Sequence, residues 1–109
     1  MARAPRPATP VRGSRSGRPV MALLELIGRR WVLRIVWELR AGPLTFRALQ
    51  QACALSPSVL NLRLAELRAA ALVQLAAEGY ALTALGRELL AQLVPLARFA
   101  EKWAKAVGA

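Results

Sequence analysis

The sequence predicts a mainly α-helical fold with one small β-hairpin, and three stretches carry that prediction. The first, Ser56 to Val73 (S-P-S-V-L-N-L-R-L-A-E-L-R-A-A-A-L-V), places Leu60, Leu64, Leu67 and Ala71 four, three and four residues apart. That spacing makes one apolar stripe of a helix. The second is a shorter helical pattern just upstream, Thr45 to Cys53, joined to the first by the brief turn Ala54-Leu55. The third lies downstream, where residues 72–75 and 80–82 read as two short strands around Ala76-Ala77-Glu78-Gly79. Gly79 can take the positive φ such a turn requires.

Taken in order, residues 1–18 (M-A-R-A-P-R-P-A-T-P-V-R-G-S-R-S-G-R) offer almost nothing apolar to bury. They read as a disordered, Arg/Pro-rich arm, with one folded domain over residues 19–109. The arm holds Arg3, Arg6, Arg12, Arg15 and Arg18 and no acid. Its composition is also that of an organellar transit peptide, although its prolines would break the amphipathic helix such a peptide needs. A start of translation at Met21 is an alternative. Pro19 opens a helix through about Ile27, with Leu23, Leu24 and Ile27 inward and Gly28 as the stop. A second helix runs from about Trp31 to Arg40, where Val32, Ile35, Val36 and Leu39 make an i, i+3, i+4, i+7 face. Ala41-Gly42-Pro43 ends it. Thr45 caps the third helix, with Phe46 and Leu49 beneath. Ser56 caps the fourth, and Pro57 takes its first position, where no N–H is needed. Thr83 caps a long last helix whose stripe is Leu85, Leu89, Leu93, Leu96, Phe99 and Trp103; Pro95 should kink or split it.

Composition narrows the function classes. The net charge is +10, 14 of the 16 cations are Arg, and Asp is absent. That balance favours an anionic partner, nucleic acid before an anionic membrane. With no His and a single Cys at Cys53, neither a metal site nor an internal disulfide is expected. No cofactor is implied, and a catalytic triad or carboxylate dyad lacks its residues, so an enzyme is not expected. No apolar run approaches the roughly 20 residues of a membrane span, and the start has no signal-peptide core. The expectation is a cytoplasmic, nucleoid-associated protein. Cys53, Trp31 and Phe46 read as core residues.

Two short helices with a tight turn, the second capped and polar at its front, suggest a helix-turn-helix, although a plain helical hairpin fits the same pattern. In a helix-turn-helix the second helix enters the DNA major groove N-terminus first. Ser58, Asn61, Leu62 and Ala65 fall opposite the apolar stripe and are the candidates for base contact. Asn61 can pair bidentately with adenine, whereas Leu62 and Ala65 can touch only apolar edges such as the thymine methyl. Thr45, Arg47 and Arg68 are candidates for phosphate, joined by Arg12, Arg15 and Arg18 of the arm. Arg63 lies at the flank of the stripe and suits either a phosphate or an internal carboxylate.

The order helix, helix, helix, recognition helix, wing, long helix is a winged helix-turn-helix. Several segments resemble the HxlR-type, MarR-like transcriptional regulators. The matching residues are Pro19 through L-L-E-L-I-G-R-R-W (23–31), G-P-L-T-F-R-A-L (42–49), S-P-S-V-L-N-L-R-L-A-E-L (56–67), L-V (72–73) and Y-A-L-T-A-L-G-R-E-L-L (80–90). The resemblance implies a sequence-specific, double-stranded-DNA-binding regulator acting as a homodimer through its first and last helices. Its dimer surface would use Leu23, Leu24, Leu93, Leu96, Phe99 and Trp103. A long terminal helix with so large an apolar stripe also needs a cover on physical grounds. Arg63 matches a basic position of the family pattern.

Three positions depart from that pattern. Many such regulators carry a sensing Cys just before the first-helix Pro; here Arg18 stands there, and the sensing role is not carried over. The wing is short and holds only Glu78 as a charge, which puts wing contact with the minor groove in doubt. Arg34 and Trp37 stand where the family often has an apolar and a basic residue. No small-molecule effector is indicated. Two other classes remain open: a protein-interaction winged helix without DNA binding, and a basic RNA- or ribosome-associated protein.

Overall fold

Four of the five helices among the described residues start at a hydroxyl cap or a proline. The computed structural model describes residues 18–108. Its elements run α1 (Pro19–Ile27), α2 (Val32–Glu38), α3 (Phe46–Cys53), α4 (Pro57–Ala69), β1 (Val73–Ala76), β2 (Gly79–Leu82) and α5 (Ala84–Ala106). Thr45, Ser56 and Thr83 each accept a hydrogen bond from a first-turn amide, of Ala48, Val59 and Gly86 respectively. Each bond satisfies one of the amides a helix start leaves free.

Helices α3 and α4 end the same way. Ala54 and Ala71 adopt left-handed backbone at φ 56° and 62°. The next amide in each case reaches back across the last turn, Leu55 N–H to Gln50 O at 3.3 Å and Leu72 N–H to Leu67 O at 3.0 Å. This is the Schellman arrangement, and its apolar residue is buried both times, as Leu55 and as Leu72. Ala71 is therefore past the end of α4 and exposed, not the last residue of its inward stripe. The other three members, Leu60, Leu64 and Leu67, are buried as the spacing predicts.

The core forms where α2, α3 and α4 meet the wing and the first half of α5. Val32, Ile35, Val36, Leu39, Leu49, Leu60 and Leu67 are fully buried. Burying side chains of this size stabilises by about 1.5–3 kcal/mol each. Helix α2 is shorter than its apolar pattern, because Leu39 already leaves helical geometry and Trp31 precedes it at φ 80°. Trp31 and Phe46 pack at the rim of the core and are only partly buried. On α1 the inward residues are Ala22 and Leu26, one helical turn apart, and Leu23 and Leu24 are exposed. That corrects the expected inward face: Leu23 and Leu24 follow Ala22 by 100° and 200° of helix rotation.

β1 and β2 pair antiparallel from Val73–Leu82 to Ala76–Gly79. Leu44 adds a third, single-residue rung through two backbone bonds with Tyr80, of 2.9 and 2.8 Å. Gly79 sits at φ 129°, and a Cβ there would lie 2.4 Å from the Leu44 carbonyl oxygen. Gly86 is tighter still, since a Cβ would come within 2.0 Å of the Leu72 carbonyl oxygen. The Thr83 hydroxyl donates to Ala71 O at 2.6 Å while accepting from Gly86 N–H, so the start of α5 cannot retreat easily. Gly86→Ala is accordingly expected to destabilise by about 2–3 kcal/mol, the range for forced backbone shifts in a packed site. Urea unfolding with an unchanged slope measures it, and a midpoint equal to that of the parent chain contradicts it.

Helix α5 passes Pro95 without splitting and continues to Ala106. Leu89, Leu90 and Leu93 lie against the core. Beyond them Leu96, Phe99, Trp103 and Val107 continue an apolar stripe that stays more than half exposed.

Candidate nucleic-acid interface

Leu60, Leu64 and Leu67 anchor α4 in the common core, which leaves its opposite face to solvent. Ser58, Asn61 and Ala65 are exposed on that face, and Leu62 is half-buried at its edge. Arg68 is exposed in the last turn of α4, where a cation also complements the helix C-terminus. Arg47 is exposed beside the N-terminus of α3, next to Thr45. The Thr45 oxygen is taken up as a cap, and its hydroxyl proton remains to donate. Arg18 is exposed before α1. Arg12, Arg15 and the rest of the arm lie outside the described residues.

Arg63 does not join that face. Its guanidinium donates to Glu66 Oε1 at 2.6 Å, one turn along α4, and its side chain is 19% exposed. Glu66 is 5% exposed and accepts from Arg29 through its other oxygen. Of the two destinations open to Arg63 in the sequence, the structure has it on the internal carboxylate. A buried carboxylate is costly unless paired, so Glu66 draws the nearest cation inward and removes it from the phosphate candidates. The partner Arg29 lies 37 residues away in sequence, and periodicity does not reach that far. The available local signal is that Glu66 is the one acid of α4, three residues after Arg63.

The rest of the surface divides by sign and polarity. Between Gln74 and Leu82 the wing carries Glu78 and no cation, with Leu75 exposed. On α2, Arg34 pairs with Glu38 at 2.8 Å and donates to Ala52 O at 3.0 Å. Arg40 stacks on Trp37, with its guanidinium carbon 4.6 Å from the ring centroid; Trp37 is half-buried. Cys53 is buried. Burial pushes its thiol up, the Glu38 carboxylate adds to that, and Arg34 opposes it, so it is held as a neutral core residue. Among the described residues no His/Cys/Asp/Glu group is placed to hold a metal ion. None of their helices is long and apolar enough to cross a membrane.

The dimer-surface candidates do not all stand alike. Leu23, Leu24, Leu96, Phe99 and Trp103 are exposed. Leu93 is partly buried against the protein's own core.

A helix-turn-helix followed by a hairpin wing and a long terminal helix defines a winged-helix DNA-binding regulator. The chain belongs to the HxlR-like helix-turn-helix family, whose model matches residues 26–107. It is thus a transcriptional regulator and not an enzyme. Its fold is similar to that of quinone-bound YodB from B. subtilis, at 27% identity and TM-score 0.72, over 76% of this chain and 96% of that one. It is also similar to the reduced form of the transcriptional regulator YodB from B. subtilis. That match is again 27% identical, with TM-score 0.60, over 77% and 86% of the two chains. No curated protein sequence matches the chain.

Proposed function

We propose that the protein is a homodimeric, sequence-specific regulator of transcription that inserts the front of α4 into the major groove of double-stranded DNA. The observation that carries this reading is the exposed face of α4. It presents Ser58, Asn61 and Ala65 to solvent while the other side is anchored by fully buried leucines. Ser58 and Asn61 are its base-edge hydrogen-bonding groups, and Leu62 and Ala65 supply apolar contact. Arg47, Arg68 and the Thr45 hydroxyl are assigned to phosphates, with Arg18 and the arm residues Arg12 and Arg15. The dimer is assigned to α1 and α5, through Leu23, Leu24, Leu96, Phe99 and Trp103, with Leu93 at its inner edge. The place of action is the nucleoid. No effector is assigned.

With so few hydrogen-bonding groups on α4, discrimination among sequences is modest and leans to A·T opposite Asn61. Asn61→Ala is expected to cost about 1–3 kcal/mol at that base pair and to flatten the preference there. Selection of bound duplexes from a random pool, followed by sequencing, measures both. Inverted half-sites in the selected pool are the expected outcome for the parent protein. A variant profile equal to the parent's at every position removes Asn61 from the reading.

The uncharged-to-acidic wing and the exposed Leu75 favour a second reading, a winged helix that contacts protein instead of DNA. Selection that enriches no duplex sequence would support it.

A further inference from the structure

Arg29 sits in the turn between α1 and α2, and that turn is held from several sides. The Arg29 amide donates to Leu26 O at 3.1 Å, in the last turn of α1. Its carbonyl accepts from Val32 N–H at 3.2 Å, at the start of α2. Two residues on, Trp31 holds a left-handed φ of 80°, a conformation a bulky side chain keeps only where its surroundings over-determine it. Its ring packs at the rim of the core, and the Arg30 guanidinium lies over it at 4.4 Å. From this fixed turn the Arg29 side chain, 16% exposed, reaches Glu66 on α4. Glu66 is the buried polar residue of the core region, and Arg63 holds its second oxygen from within α4.

We infer that the Arg29–Glu66–Arg63 cluster is a positioning device. It locks the recognition helix to the turn that ends α1, and so fixes where the DNA-reading face stands relative to the dimer face. This rests on the dimeric DNA-binding reading above. A hydrophobic contact between two helices tolerates small slides, because dispersion is non-directional. Charge-assisted hydrogen bonds to the two oxygens of one carboxylate are directional and fix a register. The link ties α4 to α1, which carries Leu23 and Leu24 of the proposed dimer face, and not to a remote surface. In a dimer that reads two half-sites, the relation between dimer axis and recognition helix sets the half-site spacing. Arg29 and Glu66 are therefore spacing determinants that touch no base.

Arg29→Gln is the sharper variant, because Arg63 still pairs with Glu66 and the carboxylate is not left alone. Glu66→Gln, which removes the charge and leaves a single acceptor oxygen for the two arginines, is the second. Each full-length variant is checked for a cooperative melt and for its monomer–dimer constant. Binding is then measured to duplexes carrying the parent-selected half-sites at the selected spacing and at spacings changed by about two base pairs in either direction. The parent is expected to prefer the selected spacing by about tenfold or more. The variants are expected to fall to about threefold or less, with the dimer constant and the base preference opposite Asn61 retained. Arg29→Lys, which keeps the charge, is expected to recover part of the discrimination. A cluster that merely adds stability would lower the melting temperature and leave spacing discrimination at the parent's value; that result in the folded Arg29→Gln protein overturns the inference. A parent protein indifferent to spacing would instead overturn the two-half-site reading on which it stands.

Discussion

Phe99→Glu together with Trp103→Glu is expected to give a folded monomer that has lost most of its affinity for paired half-sites. Both side chains are 58% exposed and lie on α5 beyond Leu93, where the helix has left its own core. Charge there does not disturb the fold of one chain. It does disturb an interface, because carboxylates buried there without partners carry a heavy desolvation cost. Burying the exposed parts of Leu96, Phe99, Trp103 and Val107 contributes about 3–6 kcal/mol per protomer on the usual scale for side chains of this size. Losing the two aromatics removes the larger share of it. Joining two recognition helices in one dimer raises affinity for a double site by about 10²–10⁴ over a single helix, and the variant forfeits that gain. Sedimentation at micromolar concentration and titration of double-site DNA read the two effects separately. Leu93→Glu with Phe99→Glu is a poorer probe, since Leu93 also packs against the core and its loss confounds folding with association. A parent protein that sediments as a monomer, or a variant that stays dimeric, contradicts the assignment.

What the sequence made legible was local. The caps Thr45, Ser56 and Thr83, the Pro at the start of α4 and the leucine spacing each act within one or two helical turns. They placed the starts of α3, α4 and α5 to within a residue. Features that depend on partners far along the chain were not legible. Nothing near Leu44 marks it as a rung of the wing, because its partner Tyr80 is set by the path of the whole fold. Nothing near Arg29 points to Glu66. On α1, three apolar residues in four (Leu23, Leu24, Leu26) leave the inward direction undetermined until α2 is docked, and the structure selects Leu26 with Ala22. On α5 the stripe was read as one surface. In the structure Leu89 and Leu93 cover the core, whereas Leu85 before them and Leu96, Phe99 and Trp103 after them are left exposed. The exposed face of α4 was legible because it follows from the same periodicity as the buried one; for Arg63 the sequence left the phosphate and the internal carboxylate open, and only the packing of Glu66 decides between them.

That placement of Arg63 has a consequence for how the protein holds DNA at all. With Arg63 on Glu66, the described residues of the proposed DNA-reading face of α4 offer only Arg68, and Arg47 stands on the neighbouring helix. The wing adds Glu78, which repels phosphate. Non-specific affinity of a DNA-binding protein comes largely from phosphates neutralised, and two cations per protomer supply little of it. The sequence places its largest acid-free set of cations ahead of α1: Arg3, Arg6, Arg12 and Arg15, then Arg18. Basic arms on DNA-binding helical domains can follow the minor groove or the backbone. A chain shortened to begin at Arg18 keeps the Arg18 carbonyl, which accepts the amides of Met21 and Ala22 at 3.0 and 3.4 Å, and so leaves α1 intact where a start at Met21 would not. Each phosphate neutralised contributes about −0.9 to the slope of log K against log salt, so the shortened chain is expected to lose about 2 to 4 units of slope per protomer. Its base preference opposite Asn61 is expected to persist, because phosphate contacts carry little sequence information. Replacing Arg3, Arg6, Arg12 and Arg15 with Gln in the full-length chain should give the same slope as the shortened one. That control separates charge from chain length. Equal slopes for the parent and both variants would place the phosphate contacts on the folded domain alone, whatever the absolute affinities.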